Sequence, residues 1–195
     1  MLNDFLKDME KKIYQIKITL NGTRPLIWRR ILTNAHILLV DFHRILQTTM
    51  GWTNSHLHAF IDGSMEYAPV EFEVDGALNS RTVHLNEIMD EDNPQIVYEY
   101  DFGDGWEHTL LLEKVLPADN QQQIPVCIGG KRNCPPEDVG GIWGYGDMLK
   151  ILKKPGHKEY HSYIEWLGGE FDPDYFNMDE INEQLKRKGY GCIWL

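Results

Sequence analysis

The chain of 195 residues is long enough for one domain with a substantial core, and its 42% hydrophobic and 25% charged residues exclude a disordered or fibrous protein. Its net charge of −11 argues against a nucleic-acid-binding protein, because non-specific affinity for nucleic acid comes mainly from cations that neutralise phosphates. Three cysteines are too few for a disulfide scaffold, and no stretch approaches the roughly 20 apolar residues that span a bilayer. We therefore expect a single domain over residues 1–195, in the cytoplasm, with no affinity for duplex DNA or membranes.

The first fifty residues predict a β-hairpin followed by a helix. Residues 13–20 alternate isoleucine with polar side chains, Asn21-Gly22 is a turn signal, and residues 25–32 resume an extended pattern. The apolar positions between residues 38 and 50 then follow helical spacing, and Gly51 stands where a left-handed C-terminal residue is expected.

The rest of the chain predicts further strands and then helices. Residues 56–63 are a short strand candidate, and residues 95–116 give the clearest β pattern, broken by a glycine-containing turn. Residues 117–141 lose periodicity and predict a long loop, and loops of this length are often functional. Helices are expected over 145–153 and 158–167 and after the capping residue Asn177. The fold class is thus α+β: a mostly antiparallel, mixed sheet packed against helices, with a helical C-terminal third.

The stretch YEYDFGDGWEH, residues 98–108, is the first candidate for a site. If Asp104-Gly105 forms the two-residue type I′ turn that this dipeptide favours, Asp101 pairs across the strands with His108. Both then share a face with Trp106, while the opposite face carries Tyr98 and Tyr100. The alternative is an exposed cross-strand ion pair of little energetic value.

Two other stretches carry candidate ligands. His56 and His58 are two residues apart, so on a strand both imidazoles point the same way, as a metal-binding strand requires. The stretch PVCIGGKRNCPPEDVGG offers Glu137 and Asp138, but its cysteine spacing is not that of a zinc site. A proline-stiffened loop with buried cysteines is the alternative interpretation.

Four stretches together identify a family: PLIWRRI, MGWTNSHLHAF, YEYDFGDGWEH and CIGGKRNCPPEDVGGIWGY. The chain resembles the plasmid pRiA4b ORF-three-like proteins over nearly its whole length, from about residue 14 to residue 185. The resemblance implies an association with mobile elements in some members but no established activity. No recombinase nucleophile motif accompanies it in this sequence, and the acidic charge argues against a resolvase.

Two function classes follow. In the first, aromatic and acidic groups form a pocket that binds a small ligand or a protein partner, and Trp52 and Trp143 contribute to it. In the second, the protein is a hydrolase assisted by a divalent metal such as zinc, with Glu137 or Asp138 as base. The candidate pocket residues are His56, His58, Asp101, Asp104, Trp106, His108, Glu137, Asp138 and Tyr145. The candidate metal ligands are His56, His58, Asp101 and His108.

Overall fold

The computed structural model describes residues 12–118 and 123–192. Within these ranges the chain forms eight strands in one sheet and four α-helices, which confirms the α+β class. The strands are β1 (Lys12–Leu20), β2 (Ile27–Asn34), β3 (His58–Asp62), β4 (Met65–Ala68), β5 (Leu78–Asn79), β6 (Gln95–Tyr100), β7 (Trp106–Pro117) and β8 (Val126–Lys131). The helices are α1 (Leu39–Met50), α2 (Gly141–Leu152), α3 (Tyr160–Leu167) and α4 (Met178–Leu185).

The sheet is mixed, with the order β5-β4-β3-β6-β7-β1-β2-β8. Every neighbouring pair is antiparallel except β4 and β5, which are parallel. One face of the sheet is buried, because alternate residues of the central strands, such as Ile16, Tyr98 and Leu110, are fully enclosed. Helix α1 packs on this face, with Phe42 stacked against Phe60 of β3.

The predicted first hairpin and first helix are confirmed. Strands β1 and β2 pair from Ile13 with Asn34 to Leu20 with Ile27. Helix α1 ends at Gly51, whose φ of 91° is left-handed, as the sequence predicted. Asn177 caps α4 by accepting hydrogen bonds from the backbone N–H groups of Asp179 and Glu180, which is also as predicted.

Strand β8 lies where the sequence predicted an irregular loop. Its glycines, Gly129 and Gly130, weaken the β pattern, but they allow close packing: a Cβ on Gly130 would lie 2.4 Å from the ring of Phe176. The outer edge of β8 is occupied by the Asn182 side chain, which accepts from Cys127 N (2.7 Å) and donates to Cys127 O (2.9 Å). Tertiary packing therefore makes a strand of a segment whose sequence does not predict one.

The predicted register of the β6–β7 hairpin is wrong. Tyr98 pairs with His108, and Tyr100 with Trp106, so residues 101–105 form a five-residue connection in place of the two-residue turn. Asp101 adopts a left-handed φ of 57°, and its carbonyl accepts from Gly105 N at 2.6 Å, which closes the longer loop. Asp101 is consequently not opposite His108, and both tyrosines lie on the same face as His108.

None of the helices in the described ranges has both the length and the apolar character needed to cross a bilayer. Helix α2 begins four residues before its predicted start, at Gly141, because the two glycines at its N-terminus obscure the helical pattern. The chain just before α2 lies beside the β6–β7 loop, where Asp104 Oδ2 accepts from Gly140 N at 3.1 Å. This contact joins two of the segments that form the site.

Candidate functional site

Three of the predicted site residues meet at the ends of three different segments. His56 lies between α1 and β3, Asp101 begins the β6–β7 loop, and Asp138 lies in the loop before α2. One donor atom from each lies within 4.8 Å of the others. His56 Nδ1 is 3.7 Å from Asp101 Oδ2, and His56 Nε2 is 3.2 Å from Asp138 Oδ1. One imidazole thus lies between two carboxylates.

The β6–β7 loop fixes the orientation of Asp101. Its Oδ1 accepts hydrogen bonds from Gly103 N (3.0 Å) and Asp104 N (3.3 Å), and its own N–H donates to Leu57 O (2.8 Å). The side chain is therefore held by its own loop, and the second carboxylate oxygen faces His56. Because this carboxylate is already oriented in the free protein, a ligand does not have to order it.

Glu137 anchors the loop that carries Asp138. Its carboxylate accepts from the Tyr100 hydroxyl (2.5 Å), the Thr53 hydroxyl (2.5 Å) and Thr53 N (3.2 Å). Burial, and then the hydrogen bond to Glu137, raise the pKa of Tyr100 well above its ordinary value, so the phenol stays a donor. Asp138 follows with a φ of 61°, and its side chain is 70% exposed. The acidic loop thus has one anchoring carboxylate and one open carboxylate.

His58 and His108 lie in the core, apart from this donor group. His56 precedes β3 and does not share a strand face with His58, because the strand begins at His58. His58 stacks on His43 with 3.4 Å between ring centroids, and burial lowers the pKa of His58 well below its ordinary value. His108 is fully buried with Nδ1 3.2 Å from Tyr98 O, and burial lowers its pKa to about 4. Both imidazoles are therefore neutral at neutral pH.

The candidate aromatic residues are divided between the core and a separate cleft. Trp106 is fully buried, and Trp52 is nearly so, with its indole N–H donating to Pro135 O at 3.0 Å. The ring of Trp52 stacks on that of Tyr100, with 5.0 Å between ring centroids, and so supports the tyrosine that binds Glu137. Tyr145 and Trp143 are on α2 and line a different cleft.

Sequence reasoning missed two groups that shape the site. The Tyr100 hydroxyl accepts from Ser55 N (2.9 Å) while it donates to Glu137, which ties the His56 segment to the acidic loop. Thr53 makes the second connection between the same two segments. The polar run Thr53-Asn54-Ser55, directly before His56 and after a helix end, was the available signal.

Comparisons with known proteins agree with this fold. A family model described as "Plasmid pRiA4b ORF-3-like protein" matches residues 12–180. "Uncharacterized protein y4hQ" of Sinorhizobium fredii (strain NBRC 101917 / NGR234) is 35% identical over 180 residues, which cover 91% of this chain and 92% of that protein. The "Crystal Structure of Protein of Unknown Function MM3350 from Methanosarcina mazei Go1" is 36% identical and superposes with a TM-score of 0.81, covering 87% of this chain and 97% of that chain. This chain therefore belongs to the plasmid pRiA4b ORF-3-like family.

Proposed function

We propose that this protein is a binding module whose site holds a divalent cation between His56, Asp101 and Asp138, with zinc as the preferred ion. The observation that carries the proposal is the convergence of one imidazole and two carboxylates, with donor atoms within 4.8 Å of one another. Imidazole nitrogen and carboxylate oxygen both bind zinc in proteins. Three ligands brought together from three segments are more specific than a cluster of neighbouring acids on one element.

A second observation concerns the hydrogen bonding of His56. Its Nε2 is enclosed and makes no hydrogen bond, although Asp138 Oδ1 is only 3.2 Å away. A buried polar atom without a partner is costly, and most such atoms in proteins have one. A metal ion that accepts the lone pair of that nitrogen removes the cost, and the two carboxylates supply the opposing charge.

The donor set favours zinc over magnesium or calcium. Magnesium and calcium are bound by oxygen ligands, whereas an imidazole ligand suits zinc and other transition metals. The single imidazole and the exposed Asp138 leave coordination positions open to a further ligand. A site of this kind binds a metal and, through it, an anionic or polar group of a partner.

The test is metal binding by protein purified without a chelator and without a histidine tag. We expect calorimetric titration with zinc chloride to give one site per chain, and the variants His56→Ala and Asp138→Asn to lose that site. His157→Ala is the matched control. His157 Nδ1 also lies near one carboxylate, 3.9 Å from Glu159 Oε2, but His157 does not belong to a group of three possible metal ligands. Binding that persists in His56→Ala, or its absence in the wild type, would contradict the proposal.

A metal-assisted hydrolase is the second candidate, and one feature favours it. Catalytic zinc sites have three protein ligands and an open position, which is the number of donors here. Of the two expected bases, however, Glu137 accepts hydrogen bonds from Tyr100 and Thr53, and Asp138 belongs to the donor group. Hydrolysis of a phosphodiester or ester that requires zinc and is lost in His56→Ala would establish this activity over simple binding.

We also propose a cytoplasmic location for the protein. Cys127, Cys134 and Cys192 are all buried, and Cys127 and Cys134 are free thiols, which fits a reducing compartment. Burial raises the pKa of each of the three thiols, so they remain protonated and act as small apolar groups. Fractionation of cells that produce the protein tests the location directly.

A further inference from the structure

A second cleft lies between α2 and the turn that joins β1 to β2. Its volume is about 270 Å³, just below the roughly 300–1,000 Å³ of typical sites for drug-sized ligands. Ile142, in the first turn of α2, packs against this turn: a Cβ on Gly22 would lie 3.2 Å from the Ile142 side chain. The cleft is therefore of a size for a small ligand, and it is formed by residues other than those of the metal-binding group.

The charge of this cleft is opposite to that of the whole protein. Arg24, Arg132 and Lys150 line it, and its lining includes no aspartate or glutamate, although the net charge of the chain is −11. Arg132 pairs with Asp174 and Lys150 with Asp147, but Arg24 is exposed and forms no ion pair with any acid of the described residues. A local cationic site attracts anions, whereas the acidic remainder of the protein repels them.

One residue that lines the cleft is a tyrosine whose hydroxyl proton has no acceptor. Tyr145 is only 5% exposed, and its buried hydroxyl makes no hydrogen bond of normal geometry, although the Arg132 guanidinium, which can only donate, lies beside it. Burial raises the pKa of Tyr145 to about 12, against an opposing effect of Arg132, so the group is a neutral donor at neutral pH. An unsatisfied buried donor next to cationic side chains is suited to an anionic oxygen.

The rim of the cleft presents a planar aromatic surface. Trp143 is 88% exposed, the most exposed of the large hydrophobic side chains in the described ranges. The indole face is open to solvent, and it can stack on another planar ring. It is also three residues from the N-terminal cap of α2, where the helix dipole is positive.

We infer that this cleft binds a small anion that carries a planar ring, the chemistry of a nucleoside monophosphate. The phosphate is held by Arg24 and Lys150, with the Tyr145 hydroxyl as a neutral donor, and the base stacks on Trp143. Arginine and lysine are the common phosphate-binding residues, and stacking of a base on an aromatic side chain raises affinity about tenfold or more. Duplex DNA does not offer this combination, because its bases are already stacked on one another.

The test is calorimetric titration of the full chain with AMP, with EDTA present so that the phosphate cannot bind through a metal ion. Adenosine and ribose 5-phosphate are titrated separately as the ring and the anion. We expect AMP to bind at least about tenfold more tightly than either part, in line with a contribution from stacking. No measurable binding of AMP, or equal binding of AMP and ribose 5-phosphate, would overturn the inference.

Two variants locate the site. Trp143→Ala should weaken AMP binding about tenfold or more, whereas Trp166→Ala, which removes a half-exposed tryptophan of α3, should leave it unchanged. Arg24→Ala should weaken both AMP and ribose 5-phosphate, because it removes a contact to the phosphate. Neither variant touches the core, since both side chains are exposed. Equal AMP affinity in the wild type and Trp143→Ala would show that AMP binds elsewhere and would refute the assignment.

Discussion

The buried histidines predict a loss of stability in mild acid. His43 and His108 each have a folded-state pKa lowered by burial from 6.5 to about 4, and burial lowers the pKa of His58 in the same direction. The unfolded chain therefore binds more protons than the folded chain between these values. The contribution of these histidines to the free energy of unfolding is therefore present above about pH 6.5, and it is lost as the pH falls toward 4.

The magnitude follows from the two pKa values. A group that titrates at 6.5 in the unfolded chain and about 4 in the folded chain loses about 2 kcal/mol of stabilisation between pH 7 and pH 5. His43 and His108 together give about 4 kcal/mol, a large part of the 5–15 kcal/mol that holds a typical domain together. Glu99 opposes the effect, because burial raises its pKa, but its half-exposed position makes that contribution smaller.

The assay is urea unfolding at 25 °C, followed by tryptophan fluorescence, at pH 7, 6 and 5. His108→Leu should reduce the loss in unfolding free energy between pH 7 and pH 5 by about 2 kcal/mol relative to the wild type. The exposed His161→Gln serves as the control and should keep the wild-type pH dependence. The range stops at pH 5 so that carboxylates such as Glu113, whose pKa is lowered mainly by its hydrogen bond to Arg30, stay ionised.

A wild-type free energy of unfolding that does not change between pH 7 and pH 5 would refute this reasoning. So would a His108→Leu variant with the same pH dependence as the wild type. The first outcome would mean that the folded chain admits protons to its buried imidazoles without cost. The second would assign the acid sensitivity to other groups.

Three further predictions concern the loops and the charge. Gly141→Ala should destabilise the fold by about 2–4 kcal/mol in urea unfolding, because Gly141 has φ 64° and a Cβ would lie 2.4 Å from Asp104 O. The control is Gly146→Ala, where a Cβ would meet no atom within 4 Å, and this change should be neutral or stabilising by up to about 1 kcal/mol. Tyr100→Phe should cost about 1–3 kcal/mol, since it leaves Glu137 without its buried donor, and an unchanged melting temperature would contradict that role. Duplex DNA should give no gel shift at about 150 mM salt, where weak phosphate contacts are screened, and a retained complex would be the contrary result.

The sequence predicted those elements whose local pattern agrees with their final environment. Helix α1 is amphipathic, ends in a glycine and packs on the sheet with its apolar face, so pattern and tertiary structure coincide. Strand β8 shows the opposite case, because its Gly130 is required by the neighbouring Phe176 and Arg29 side chains. No local rule reveals that requirement, since the contacting residues lie far along the chain.

The candidate site was predictable in its chemistry but not in its geometry. His56, Asp101 and Asp138 were all singled out from polar stretches within otherwise structured regions. The Asp-Gly turn signal then misdirected the hairpin register, because Asp101 bonds to its own loop and lengthens it. His58 and His108 belong to the core, and residue type alone does not distinguish a core histidine from a metal ligand.

The Asn182 carboxamide on β8 also bears on how copies of this chain avoid one another in solution. Strand β8 is the outermost strand of the sheet, and an unpaired edge is a template for intermolecular strand addition. The carboxamide imitates a peptide group of a ninth strand, because it satisfies both the N–H and the C=O of Cys127. At the other end the sheet stops with β5, which is only two residues long. One side chain and one very short strand thus terminate the β-structure at its two sides, which limits aggregation without a partner protein.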